Sequence, residues 1–315
     1  MALQRIFVGI DVSKDWLDVW IECLHQHHRF TNDDAGFKAL LALTGTLSEP
    51  HQVTAAMEAT GGYERALRDA LLEAGVINTC VLNPLRVRLY AKSLGRQAKN
   101  DRIDARIIAR YAQHAELHPE TLDRARERLA ELVTHRKRLI EERVAVSNQA
   151  ALLRQAALRE HARARIALIA RQVEATDTLI RAALGDMPDL AAKVRLMRSV
   201  KGVKNVVATT LAALLPELGH VSRGAVAALA GLAPFDHDSG KLKGTRSIAG
   251  GRAPVRTALY MAARAAALSK SPLGDFYAKL IKAGKPAKTA TVALMRKMIV
   301  TLNAILRDNQ PWKHA

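Results

Sequence analysis

The chain has 315 residues, of which 49% are hydrophobic but only 4% aromatic, so its cores must be built from aliphatic side chains. The formal net charge is +18, from 48 lysines and arginines against 30 acids. A polyanion is therefore the expected partner, and nucleic acid is the first choice. We find no apolar run of about 18 residues to span a bilayer and no signal-peptide pattern, so we expect a cytoplasmic protein without a membrane partner.

The positive charge is concentrated in two blocks. Residues 201–315 carry 18 lysines and arginines against five acids, and residues 86–110 carry eight against Asp101 and Asp104. Two such blocks favour a nucleic-acid surface over the alternative, a merely solvated face. The two cysteines lie in apolar, strand-like runs. As two buried thiols they suit a reducing cytoplasm and predict no metal cluster.

The first third of the chain alternates strand and helix patterns. Strands are predicted over 5–12, 16–23, 27–32, 52–59 and 76–83. Helices are predicted over 34–47, 63–74 and 104–114, with Asp33 or Asp34 capping the first and Gly75 ending the second. This order predicts an α/β domain over residues 1–118.

The middle of the chain has the pattern of long helices. Neither Gly nor Pro occurs between Pro119 and Gly185. Apolar residues recur seven apart, at Leu132, Leu139, Val146 and Leu153 and again at Ile166, Val173 and Ile180. This heptad pattern predicts a helical coiled-coil segment over 119–190, either one unbroken helix or a hairpin turning near 159–163. A dimerising arm or spacer and an ordinary bundle are both compatible with it.

After Pro188, short helical patterns are separated by Gly and Pro, which predicts a mainly α domain over 191–315. Residues 199–205 place a glycine turn between two helices, flanked by Lys201 and Lys204. This pattern resembles a helix-hairpin-helix that holds a phosphate backbone, and a plain helix–helix turn is the alternative.

Four acids stand at positions that suit a metal site. Asp11 and Glu58 end predicted strands, and Asp101 and Asp104 are three residues apart at a helix start, so the latter two share a face. Carboxylates crowded together repel each other unless a cation lies among them, and oxygen ligands favour Mg²⁺ or Mn²⁺. Two such ions can clamp the attacking and leaving oxygens of a phosphodiester. Strand-end acids and a helix cap without metal are the alternative.

Two cations and two further acids lie close to these positions. Lys99 and Arg102 are expected to face the phosphates of a nucleic acid. Asp18 and Glu64 are expected to point to solvent.

Residues 231–252 form a segment rich in Gly, Lys and Arg, without periodicity. A serine that attacks a phosphate needs access and nearby positive charge. Ser239, Thr245 and Ser247 supply hydroxyls, and the acids and histidine at 236–238 precede Ser239 as acceptors for its proton. The candidate phosphate-binding cations are Lys241, Lys243, Arg246 and Arg252. A surface turn is the alternative.

Four segments together resemble one known family. They are GIDVSKDWLDV at 9–19, MEATGGYE at 57–64, VLNPLRVRLYAKSLGRQAKNDRIDARIIARYA at 81–112, and GLAPFDHDSG with the following GGRAPVRTALYMAA over 231–263. In this order, and over nearly the whole chain, they resemble the DEDD transposases of bacterial insertion sequences and their relatives, the Piv-type DNA invertases.

The resemblance implies an RNase H-like (RuvC-like) first domain in which Asp11, Glu58, Asp101 and Asp104 bind Mg²⁺. It also implies that Ser239 attacks DNA and becomes covalently linked to it, with Ser247 as the fallback. The chain departs from the family after the SG of DSG, where KLKG stands in place of small or hydroxyl residues. The local phosphate contacts are therefore expected to differ.

The implied function is an insertion-sequence transposase that cuts and rejoins donor and target DNA. A bridge RNA guides some members, and joining four DNA ends suggests at least a dimer, with a tetramer as the alternative. The main rival is a RuvC-like Holliday-junction nuclease that uses only metal-activated water. A non-catalytic DNA-binding module is a further rival. A sugar-kinase-like ATPase is disfavoured, because we find neither a second Gly-rich phosphate loop nor an adenosine pocket.

Overall fold

The computed structural model describes residues 5–47, 52–95, 101–235 and 247–312, without the side chains of residues 101 and 102. The chain divides into two compact units, the first ending at Asp123 and the second beginning at Arg124. The sequence-based boundaries at residues 118 and 190 remain predictions.

The first unit is built on a five-stranded sheet with strand order β3-β2-β1-β4-β5. The strands are β1 (Ile6–Val12), β2 (Trp16–Ile21), β3 (Gln26–Thr31), β4 (Val53–Glu58) and β5 (Asn78–Leu82). β2 is antiparallel to both β1 and β3, whereas β4 is parallel to β1 and β5. This mixed sheet confirms the predicted α/β class and all five predicted strands.

Helices cover both faces of the sheet. They are α1 (Asp34–Gly45), α2 (Glu64–Ala74), α3 (Pro84–Ser93) and α4 (Asp101–His114). Val8, Ile10 and Val12 of β1 pack with side chains of α1 and α2, whereas Phe7 packs with side chains of α3 and α4. Alternate residues of each strand therefore belong to two different cores.

Local sequence signals account for three of these helix ends. The Asp33 side chain accepts a hydrogen bond from the backbone N of Gly36, and Gly75 ends α2 in the left-handed conformation, as predicted. The sequence analysis missed α3. Pro84 ends a strand but also suits the first turn of a helix, and the Asn83 side chain caps that turn by accepting from Leu85 N at 2.9 Å.

The two cysteines have different surroundings. Cys80 of β5 is buried, but Cys23 is exposed just beyond β2, so the prediction of two buried thiols is wrong for Cys23. Burial, reinforced by the charge of Glu120, raises the pKa of Cys80 to about 11. Cys80 is therefore a core side chain held as a neutral thiol.

The second unit begins with a helical hairpin of α5 (Arg124–Leu152) and α6 (Ala156–Gly185). A single unbroken helix is therefore wrong, and the turn lies at residues 153–155 rather than 159–163. Leu139, Val146 and Val173 of the predicted seam are buried between the two helices. Apolar spacing identified the buried faces, but without a Gly or Pro it did not mark the turn.

Six further helices and a two-stranded ribbon complete the described part of this unit. They are α7 (Pro188–Met197), α8 (Asn205–Leu214), α9 (Arg223–Leu229), β6 (Pro234–Phe235), β7 (Ser247–Ile248), α10 (Ala253–Ala267), α11 (Pro272–Lys282) and α12 (Ala287–Asp308). Their core also takes in Leu129 of α5 and Ile180 of α6.

Helix α12 bears on the expectation that the chain has no membrane-spanning segment. Among the described residues it is the one helix long and apolar enough to cross a membrane. Half of its most apolar 18-residue stretch is buried inside the unit, and Leu294, Met298 and Leu302 are fully buried. These side chains belong to the central core of the second unit.

Candidate active site

Asp11 and Glu58 stand at equivalent positions on neighbouring strands. The parallel register pairs Ile10 with Met57, and the two acids follow directly. Ile10 and Met57 are fully buried in the core that includes α1 and α2. Because side chains alternate along a strand, the two carboxylates lie on the opposite face, which α3 and α4 cover.

Helix α4 approaches this face closely because Gly9 has no side chain. A Cβ atom on Gly9 would lie 2.1 Å from the carbonyl oxygen of Ala105 and 2.3 Å from the backbone nitrogen of Ala109. These distances are far below van der Waals contact. Two small residues one helical turn apart thus rest directly on the β1 backbone, two residues before Asp11.

The direction of α4 follows from contacts at its other end. Arg110 Nε donates to Glu22 Oε1 at 2.9 Å, and Glu22 N donates to the carbonyl oxygen of Phe7 near the start of β1. The end of α4 therefore lies beside the start of β1. Its first turn, with Asp101 and Asp104, lies toward the end of β1 that carries Asp11.

Three elements thus converge at one edge of the sheet, and the donors they bring are carboxylates, the oxygen ligands that fit Mg²⁺. Asp104 is half-buried in the first turn of α4. Among the described side chains, which do not include that of Asp101, no group of three or more His, Cys, Asp or Glu is placed to hold a metal ion. Lys99 and the Arg102 side chain also lie outside the described part of the chain. The four-ligand site remains a prediction.

Asp18 corrects the expectation of a solvent-facing acid, because only 3% of it is exposed. It pairs with Asp11 across β1 and β2. Arg29 Nη2 donates to Asp18 Oδ2 at 2.8 Å, and the His27 ring lies 2.8 Å from Oδ1. These partners on β3 offset the charge of a carboxylate beside Asp11, which lowers the repulsion that Asp11 experiences. Sequence reasoning missed this pair because it depends on strand register.

Glu64 is also buried, contrary to expectation, with 8% exposed. Its Oε2 accepts hydrogen bonds from the backbone N of Thr60 at 3.0 Å and of Gly62 at 2.9 Å. Gly61 and Gly62 have positive φ, which favours glycine. Glu64 therefore stabilises the turn that follows Glu58. The two glycines and the final glutamate of the MEATGGYE segment are the sequence signal for this turn.

The serine segment is anchored at both ends. Residues 236–246, with Ser239, Lys241, Lys243 and Arg246, lie outside the described residues. They connect β6 to β7, which pair antiparallel, Phe235 opposite Ser247. Ser247, the fallback nucleophile, is exposed on β7.

Glycines hold the base of this connection. A Cβ on Gly251 would lie 2.1 Å from the backbone nitrogen of Gly231, and Arg252 N donates to the carbonyl oxygen of Leu229 at 2.8 Å. The GL of GLAPF and the GGR that follows the segment are therefore in direct backbone contact. The sequence analysis noted these glycines only as part of a Gly-rich segment without periodicity.

Arg252, predicted to contact phosphate, has an intramolecular partner. Its Nη1 and Nη2 donate to the two carboxylate oxygens of Glu217 at 2.6 and 2.7 Å. Burial by itself would raise the pKa of Glu217, but the hydrogen bonds and charge of Arg252 outweigh it and hold that pKa below its ordinary value. Arg252 therefore fixes the start of α10, and its role at DNA remains a prediction.

The glycine turn predicted between two helices is present between α7 and α8. Lys201 and Lys204 are exposed on the turn, whereas Val200 and Val203 are buried. Gly202 has φ +90°, and a Cβ there would lie 2.4 Å from the carbonyl oxygen of Ala262 in α10. The glycine is thus needed for packing, and phosphate binding by the two lysines remains a prediction.

Comparison with known proteins covers most of the chain. Residues 8–157 match the family model described as a transposase of the DEDD, IS110 type, a range that includes all four candidate acids. Residues 194–278 match the model of the IS116/IS110/IS902 transposase family, a range that includes Ser239.

Two relatives are similar from end to end. The pilin gene-inverting proteins of Moraxella bovis and Moraxella lacunata are each 28% identical to this chain, over 98% of both sequences. The two family models and these relatives agree with one another, and the protein belongs to the IS110 family of transposases, with the pilin gene inverters as relatives.

Proposed function

We propose that this protein is an insertion-sequence transposase that cuts and rejoins DNA through a covalent serine–DNA intermediate. The observation that carries the proposal is the convergence of Asp11, Glu58 and the first turn of α4 at one sheet edge, within a chain of the IS110 family. The strand order and the helix crossing the sheet support an RNase H-like (RuvC-like) assignment for the first unit.

Asp11, Glu58, Asp101 and Asp104 are the residues that would hold Mg²⁺, or Mn²⁺ in its place. When bound, the metal supplies Lewis-acid stabilisation of charge on the phosphate oxygens. The chain's own contribution is to position these carboxylates. Gly9 lets α4 dock on β1, and Glu64 fastens the turn after Glu58.

Ser239 would act as the nucleophile. Its Oγ attacks the phosphorus of a phosphodiester and gives its proton to a neighbouring base. The bond from phosphorus to the leaving sugar oxygen breaks, and that oxygen takes up a proton. Attack on the serine phosphodiester by a hydroxyl of another strand reverses these steps, rejoins DNA and regenerates Ser239. Lys241, Lys243 and Arg246 would stabilise the charged phosphorane.

The expected partners are donor and target DNA, and a bridge RNA as guide. Four cations are proposed to contact the sugar-phosphate backbones of these nucleic acids: Lys99, Arg102, Lys201 and Lys204. Because four DNA ends are exchanged, we propose a homo-oligomer, a dimer or a tetramer. The α5–α6 hairpin is proposed as a coiled-coil contact between copies.

An adduct assay tests this function. The purified chain is incubated with Mg²⁺, donor DNA and RNA from the flanks of its element, then denatured and examined for protein bound to DNA. We expect an adduct that maps to Ser239, is lost in Ser239→Ala and Asp11→Asn, and depends on the RNA. Asp69→Asn is the matched control, because that carboxylate pairs with Arg68 on α2.

The alternative outcomes separate the rival functions. Cleavage without an adduct, unchanged in Ser239→Ala, would establish the Holliday-junction nuclease that uses water. An adduct lost in Ser247→Ala but kept in Ser239→Ala would move the nucleophile to Ser247. Binding of DNA without any cleavage under these conditions would leave only a binding module.

A further inference from the structure

A buried tryptophan lies under the side of α4 that faces β2. Trp20 is 4% exposed and packs against Ala105 and Ala109. It is also the strand partner of Gly9, so the close approach of α4 to β1 clamps the indole in place. Trp20 Nε1 donates to Glu22 Oε2 at 2.6 Å, which fixes the orientation of the ring.

Arg106 rests on this indole. Its Cζ lies 5.1 Å from the Trp20 ring centroid, within the range of a cation–π contact. Its Nε is buried and has no hydrogen-bond partner among the described residues. A buried, unsatisfied donor on a charged group is costly, so its presence calls for a ligand.

Neighbouring arginines each have a carboxylate partner, whereas the described residues supply none to Arg106. Arg110 pairs with Glu22, and Arg29 pairs with Asp18. These ion pairs occupy the acids that flank Trp20 on the sheet. Arg106 thus presents a pre-oriented guanidinium that lies against an aromatic ring.

Arg106 lies near the edge of the sheet that carries Asp11 and Glu58, which we call the carboxylate edge. Trp20 lies opposite Gly9, and Asp11 is two residues further along β1, about 7 Å at the rise of a β-strand. Each phosphate of a DNA strand advances by about 3.4 Å along the duplex axis, so this span is no longer than the axial rise of about two nucleotides. A strand with one phosphate at the acids would therefore carry another phosphate within the neighbourhood of Arg106.

We propose that Arg106, held on Trp20, is a phosphate-binding site for the DNA strand that enters the carboxylate edge. A phosphate oxygen would accept hydrogen bonds from the half-buried guanidinium, whose planar shape suits bidentate contact with phosphate. The buried Nε would gain this partner by a rotation of the side chain toward the DNA strand. The inference rests on the proposed function, since it requires DNA at this edge, but it requires neither metal nor cleavage.

DNA binding by the full chain in EDTA tests the site, by fluorescence anisotropy across a range of salt concentrations. Arg106→Met keeps an apolar stem over Trp20 but removes the charge. We expect about a tenfold loss of affinity for duplex DNA and a salt slope smaller by about 0.9, the value of one phosphate contact. Arg106→Lys should keep most of the slope but not all of the affinity.

Arg68→Met is the matched control, because Arg68 is similarly half-buried in the same unit but pairs with Asp69. It should leave both affinity and slope unchanged. A spectroscopic readout adds to this. In a chain with Trp16→Phe and Trp312→Phe, DNA should alter the emission of Trp20 when Arg106 is present and not in Arg106→Met.

Unchanged affinity and slope in Arg106→Met would overturn the site, even if that variant unfolds at a lower temperature. A loss confined to RNA, with duplex DNA binding intact, would also overturn it. Failure of the proposed function would give a different experimental result from failure of the phosphate site. No adduct with Mg²⁺, together with Arg106-dependent DNA binding in EDTA, would refute the serine chemistry and leave the phosphate site standing.

Discussion

At the scale of single residues, a charged pair holds the backbone at the end of the candidate serine segment. Arg252 sits just after the serine segment, yet its guanidinium is bound to Glu217. The low pKa of Glu217 shows that the pair is more stable when that carboxylate is ionised. The pair therefore contributes to anchoring the segment at neutral pH, and this contribution is lost in acid.

The pH dependence of stability tests this pair. A carboxyl whose pKa is lowered by folding stabilises the folded chain at pH values above its ordinary pKa of 4.5. This contribution disappears as the pH falls through the pKa of the folded state. We expect the free energy of unfolding to fall less steeply below about pH 5 in Glu217→Gln. The difference should stay under about 1 kcal/mol, since both side chains are about a third exposed.

Urea unfolding from pH 7 to pH 3 measures the effect. Glu141→Gln is the control, because that glutamate is 60% exposed in its pair with Lys137. Identical pH profiles for wild type and Glu217→Gln would contradict the argument.

At the scale of elements, the candidate site depends on how closely α4 docks on the sheet. Gly9 faces Ala105 and Ala109 without any intervening side chain. A bulkier residue would lift α4 and move the first turn, with Asp104, away from Asp11 and Glu58. Gly9 therefore belongs to the site although it carries no functional group.

Gly9→Ala tests the docking. Its Cβ would meet backbone atoms of α4 at 2.1 and 2.3 Å, which cannot rotate away. We expect a loss of about 3 kcal/mol in the free energy of unfolding, together with loss of DNA cleavage. Gly45→Ala at the end of α1 is the control, because a Cβ added there would have no atom within 4 Å, and little change is expected. Equal stabilities of the two variants would refute the docking argument.

At the scale of the whole molecule, the carboxylates and the serine segment belong to two different compact units. The proposed chemistry requires the two to act on one phosphate, either within one chain or between copies. The proposed contact between copies through the α5–α6 hairpin would suit the second arrangement, which we expect.

Mixing two inactive chains tests this arrangement. Asp11→Asn supplies an intact serine segment, and Ser239→Ala supplies intact carboxylates. If the site is shared between copies, the mixture should regain part of the adduct formation that neither variant shows alone. No recovery at any ratio would place both parts of the site in one chain.

Much of the first unit was predictable because its signals are local. Alternating apolar residues marked the strands, and Asp33 and Gly75 marked helix ends. The positions of Asp11 and Glu58 at strand ends followed from the same pattern. The helix at Pro84 was missed because one proline suits both the end of a strand and the start of a helix.

The sequence by itself determined the α/β class of the first unit, the helical remainder, the family, and which residues are candidates for chemistry. These follow from periodicity, charge and short motifs, which are properties of neighbouring residues. Only the tertiary structure decided that Asp18 is buried with Arg29, that Arg252 binds Glu217, and that Arg106 rests on Trp20. Each of these pairs joins residues on different elements, at least 11 positions apart in the chain, so strand register and helix packing, rather than local pattern, select the partner.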